Sequence, residues 1–199
     1  HWQMLEPYVL PADDAMVERL INIAASPVRS RRPFQEFDAA KIGLDPSLMH
    51  LELDDESFDI GMTDVLLGDR YIRTGNVVAM VPDRFSPFLI ATPASELDRH
   101  LLPRGSALVS LKINGIDRAD LIDTWAGAMA RQITASDSGS ANAADASVDM
   151  QLDDGSTIRY DIARNGDAVV ARRNEPALSY TLSAEQAAAL LGDVEASAH

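Results

Sequence analysis

The chain has 199 residues and no cysteine, with 31 acidic against 17 basic side chains for a formal net charge of −14. That length buries a core without covalent staples. The missing thiols exclude disulfides, thiolate catalysis and cysteine-based zinc sites, and the charge works against nonspecific binding to nucleic acid or anionic lipid. No apolar run reaches the roughly 20 residues that a membrane helix needs.

Residues 6–11 form an extended lead-in bounded by Pro7 and Pro11. Asp13 or Asp14 is placed to cap a helix whose apolar stripe is Met16, Val17, Leu20, Ile21 and residues 23–25, and Pro27 ends it. The segment Arg29-Ser30-Arg31-Arg32-Pro33 is the dense basic patch of an otherwise acidic chain. Residues 38–45 read as one helical turn stopped by Gly43, with Pro46 forcing extension. Alternation over 48–53 predicts a strand, and Asp54-Asp55-Glu56-Ser57 a hairpin loop. Thr74-Gly75-Asn76, between strands at 71–73 and 77–81, signals a second hairpin because Gly and Asn tolerate positive φ.

A short helical piece is predicted from Pro82-Asp83 through Phe88 and Leu89. Residues 91–105 make a connector, 107–113 a strand, and Asn114-Gly115 its turn. Leu121, Ile122, Trp125, Met129 and Ile133 along one side predict a helix over 119–133, with Trp125 in the core. Residues 134–147 are small, polar and aperiodic, which predicts a mobile loop. A second strand set follows, and Ser183 to Gln186 opens an Ala-rich helix that Gly192 stops.

Two stretches, 51–90 and 150–191, share this order. Each has a strand ending in Leu-Asp-Asp (Leu53 to Asp55, Leu152 to Asp154), a second strand (Phe58 to Gly61, Thr157 to Ile162) and a Gly-Asp loop (Gly68-Asp69, Gly166-Asp167). An Arg-bearing hairpin and a short helix complete each one. The pattern predicts an α+β fold of two related halves, residues 1–102 and 103–199. Each half is expected to be a mainly antiparallel sheet packed with one longer helix and a short C-terminal one.

The run from Phe37 to Pro46, with its Gly43-Leu44-Asp45-Pro46, resembles a connector of the bacterial family known as domain of unknown function 4340. Gly61, then Gly68 to Arg73, then Val78 to Val81 before Pro82-Asp83, are similar to that family's later motifs. The resemblance spans roughly residues 12–90 and, more weakly, 148–191. It implies a periplasm-facing domain on a membrane-anchored protein, with the anchor preceding this chain, and supplies no catalytic residues.

The acidic groups Asp54, Asp55, Glu56, Asp59 and Asp153, Asp154 lack the ligand spacing of a calcium loop and read as solvated turns. No nucleophile elbow or phosphate loop is present. His50 reads as a strand residue, and His100 as a connector residue that Asp98 could orient. No catalytic, cofactor-binding or metal-binding residue is assigned, and no cofactor. Arg29, Arg31 and Arg32 are the candidate partner-binding residues, with pairing to the chain's own carboxylates as the alternative. Trp2 suits a membrane interface if an anchor precedes it. The leading expectation is a non-enzymatic envelope module that binds a protein partner or aids assembly of a membrane complex. The alternatives are a small-ligand binder using a cleft between the halves, and a hydrolase with dispersed carboxylates.

Overall fold

A computed structural model describes residues 1–84, 86, 91–136, 144–166 and 168–192. The chain is mixed α/β and mostly sheet. It divides into two compact units, His1–Asp14 with Thr92–His199, and Ala15–Ala91. The expected boundary at 102/103 therefore moves, because the first residues join the C-terminal part. There β1 (Gln3–Met4) pairs with β2 (Leu10–Pro11), and Ala12 bridges Leu97. The Asp13 N–H donates to the Glu96 carbonyl at 2.8 Å, and Arg104 reaches Asp14 at 3.1 Å.

The unit of residues 15–91 holds most of helix α1 (Asp14–Ala24) and a five-stranded antiparallel sheet. Its strands are β3 (Ser30–Pro33), β4 (Met49–Leu53), β5 (Glu56–Thr63), β6 (Asp69–Thr74) and β7 (Val77–Pro82), in the order β3-β7-β6-β5-β4. Leu53 pairs with Glu56, so the first hairpin turns on Asp54-Asp55 alone. Glu56 and Ser57, expected in the loop, extend β5 instead. Of the expected α1 stripe only Ile23 is buried; Leu20 packs beside it on Ile60, Ile72, Ala79 and Val81. The opposite face, by strand alternation, gathers Ile42, Leu44 and Val78 under Phe34, Phe37 and Tyr71.

Gly43, at φ +69°, ends the turn of residues 38–43, and the Leu44 N–H closes it on the Ala39 carbonyl at 2.8 Å. The Ile42 carbonyl then accepts from the Met62 N–H. This approach needs Gly61, since a Cβ there would lie 2.4 Å from that carbonyl oxygen. The register shift in β5 between Ile60 and Thr63 falls at the same place.

The other unit contains β8 (Leu108–Ile113), β9 (Ile116–Asp117), α2 (Ile122–Ala126), β10 (Gln132–Ala135), β11 (Ala146–Leu152), β12 (Thr157–Asn165), β13 (Ala168–Asn174), β14 (Ala177–Leu182) and α3 (Ala184–Leu191). Its sheet runs β10-β14-β13-β12-β11-β8-β9. The helix expected over 119–133 is a 3-10 turn plus α2, broken at Gly127. Ile133 instead lies on β10 opposite Tyr180, and its side chain is buried in the core. The expected loop of 134–147 is strand at both ends, and its residues 137–143 lie outside those described. Phe85 and residues 87–90 of the expected helix after Pro82, and Asp167 of the second Gly-Asp pair, also lie outside them.

Trp125 and Tyr160 are fully buried at the centre of this core, with Tyr180 beside them. Each polar tip that burial would orphan finds a carbonyl: Trp125 Nε1 donates to Leu190 at 2.8 Å, and the Tyr160 hydroxyl to Leu101 at 2.7 Å. The helix α3 is closed by the Ser183–Gln186 capping box its sequence announces. In both sheets, the strand preceding a four-stranded meander pairs with the meander's last strand, β3 on β7 and β10 on β14.

Candidate functional site

The three candidate arginines lie on or beside β3, an edge strand whose four residues are all exposed. Arg29 sits 3.0 Å from the buried Asp69, off the line of a hydrogen bond, so the contact is ionic. Arg32 pairs with Glu36 at 3.3 Å, and Arg31 is exposed and makes no ion pair among the described residues. Two of the three are thus occupied within the chain, and Arg31 is the one left to meet something else.

Sequence reasoning missed the more unusual feature, which lies between β5 and β6. Val65, Leu66 and Leu67 are 96%, 94% and 60% exposed. Their backbone is nonetheless fixed. The Asp64 carboxylate accepts the N–H groups of Leu66 and Leu67, each at 2.9 Å, and the Tyr71 hydroxyl at 2.7 Å. The hydrogen bond from Tyr71 holds the Asp64 carboxyl below its ordinary range, and the same bond pushes the Tyr71 phenol up. Gly68, at φ +68°, then returns the chain to β6. Three apolar residues between two strands look from sequence like continued strand; only the turn shows them facing water.

Under this tip lies a buried guanidinium. Arg70 is 3% exposed and meets Asp83 in a forked pair, Nε to Oδ1 at 3.0 Å and Nη2 to Oδ2 at 2.7 Å. Nη1 donates to the Gly61 carbonyl at 2.6 Å, and Ser86 joins Asp83 at 2.8 Å. Nη2 also donates to the Ser86 hydroxyl at 2.9 Å, so each guanidinium nitrogen has a partner, as a buried charge requires.

The His100 region belongs to the other unit. Asp98, 9% exposed, holds His100 Nδ1 at 2.7 Å and also faces Arg104. The pair opens on a recess of about 10 Å³, room for about one water, lined by Leu10, Pro11, Leu101, Pro103, Arg173 and Tyr180 besides. The carboxylate that sequence proximity offered His100 is therefore in contact with it. His50 contacts Asp59 at 2.7 Å and Glu52 at 3.1 Å on the exposed face of the other sheet. Both hydrogen bonds raise its pKa, that to Asp59 most. Among the described residues, no group of three or more His, Asp or Glu is disposed to hold a metal, and no helix is long and apolar enough to cross a membrane. Compared with protein-family models, curated proteins and solved structures, the chain matches none.

Proposed function

We propose that this chain is a non-enzymatic binding module, carried on the periplasmic side by a membrane-anchored bacterial protein, that docks a protein partner in an envelope complex. The observation that carries the reading is the Val65–Leu66–Leu67 tip. Fully burying a Val or Leu side chain yields about 1.5–3 kcal/mol, and contiguous exposed apolar surface marks contact sites. A turn tied down by Asp64 presents those side chains with little further loss of entropy on binding. Arg31, exposed on the edge strand β3, is the candidate arginine left to favour an acidic rim on the partner. The compartment rests on the likeness of Gly43 to Pro46, Gly61 and Gly68 to Arg73 to the 4340 family.

The two sheets are further proposed to be related by duplication. Their common strand order supports this, as do equivalent side chains on the third strand of each meander. Arg73 Nε donates to the Gly75 carbonyl at 2.9 Å, and Arg173 Nε to the Glu175 carbonyl at 2.7 Å, each across the following turn.

A photo-reactive amino acid at position 66 of the full-length protein in cells should give one discrete adduct. Leu67→Asp should remove it, and the probe moved to exposed Val109 should give none. Equal labelling from both positions, or none from 66, overturns the docking role. A second reading, hydrolysis with His100 as base, draws on its contact with Asp98. Cleavage of chromogenic esters by the wild type and not by His100→Ala would favour it.

A further inference from the structure

We infer that β4 is a self-pairing edge, on which β4 of a second copy of this chain adds antiparallel and continues the sheet. Open strand edges template such pairing unless something blocks them. The opposite edge of this sheet is blocked: β3 carries Arg31, Arg32 and Pro33, all exposed. The β4 edge, Met49-His50-Leu51-Glu52-Leu53, has no Pro, Lys or Arg.

The register can be derived. Leu53 and Glu56 close a two-residue turn, so they form a hydrogen-bonded pair. Alternation then commits the backbone groups of Leu53, Leu51 and Met49 to β5. Those of His50 and Glu52 point away from β5, toward the open edge. A second β4 can satisfy them in three symmetric registers. Centring the axis on His50 or on Glu52 sets like charge against like, imidazole on imidazole or carboxylate on carboxylate.

Centring it on Leu51 sets His50 against the partner's Glu52 twice over and makes four backbone hydrogen bonds. Leu51 then meets the partner's Leu51, and Met49 meets the partner's Leu53. These three residues are half-buried in the single chain, on the face that already packs Phe58. Charge and shape choose the same register. The contact is short, so the association is weak and concentration-dependent. It uses a different edge from the tip and stands apart from the docking role.

The chain's lack of cysteine makes the test clean. Leu51→Cys places two thiols on a non-hydrogen-bonded antiparallel pair, whose Cα atoms lie about 4.5 Å apart, within disulfide reach. Under mild copper-phenanthroline oxidation, Leu51→Cys should cross-link at least about tenfold faster than Met49→Cys or Leu53→Cys alone. Mixing the latter two proteins should restore cross-linking. In sedimentation equilibrium, His50→Glu should weaken the dimer roughly tenfold, and adding Glu52→His should recover most of the loss. Equal cross-linking at all three positions overturns the register. A monomer throughout the accessible concentration range, or a dimer indifferent to both charge changes, overturns the self-pairing edge.

Discussion

The sheet around β11–β14 and the sheet around β4–β7 share a strand order but fill their interiors with different chemistry. The first encloses Trp125, Tyr160 and Tyr180, the Tyr160 ring centroid lying 6.2 Å from that of Trp125 and 5.4 Å from that of Tyr180. Its polar atoms are few, and those of Trp125 and Tyr160 end on carbonyls. The second has smaller aliphatic clusters and a buried Arg70, paired with the part-buried Asp83, whose donors reach Gly61 and Ser86. The topology tolerates either filling, and the two fail for different reasons. An aromatic core loses volume when cut, whereas an ion-pair core loses charge balance.

The comparison breaks most visibly at Trp125. Trp125→Ala should cost about 3–5 kcal/mol through the cavity it opens, read by urea denaturation, and should loosen α3 because Leu190 loses its donor. Arg70→Met should cost about 3 kcal/mol by removing the guanidinium paired with the part-buried Asp83 carboxylate, which keeps its bonds from Thr63 and Ser86. Adding Asp83→Leu should return most of that loss. If the double variant is no better than the single one, charge balance is not what holds this interior. Tyr160→Phe keeps the ring and strands the Leu101 carbonyl, for about 1–2 kcal/mol in the same assay.

Smaller effects sharpen the picture at the surface. Asp64→Ala should speed amide exchange at Leu66 and Leu67 while global stability changes little. The Asp64 pKa is depressed in the fold. Its contribution is therefore complete above the ordinary 3.8 and disappears as pH falls through the folded value, and exchange at the tip should rise in that window. His50 has the opposite sign. Its folded pKa is raised, so its contribution is complete below the ordinary 6.5 and lost as pH rises through the folded value. An imidazole NMR titration should show a midpoint above 6.5, lowered more by Asp59→Asn than by Glu52→Gln.

Much of the fold was readable locally, where a short segment decides its own conformation. Gly43 and Gly75 take the positive φ their turns demand, and the Ser183–Gln186 box caps α3. Strand alternation placed β4 and β12. The helix expected over 119–133 failed because the spacing from Leu121 to Ile133 mixes two elements. Trp125 is buried from α2, but Ile133 is buried from a strand whose partner, β14, lies some fifty residues on. The unit boundary was missed for a related reason: Arg104 and Leu97 recapture the first residues across the whole intervening unit.

At the candidate sites the division is sharper. That Arg29, Arg31 and Arg32 are cationic in an acidic chain is written in the sequence; that Asp69 and Glu36 already hold two of them is not. Asp98 beside His100 was suggested by their spacing, but the recess they open on is also lined by Leu10 and Tyr180, which the fold brings there. The sequence by itself determined composition, turn chemistry and the alternation of each strand, because these depend on a few neighbouring dihedrals. Only the tertiary structure decided that Val65, Leu66 and Leu67 face water, that Arg70 does not, and that β4 ends its sheet among the described residues. Exposure is set by which distant segments pack against a residue, and no local pattern contains that.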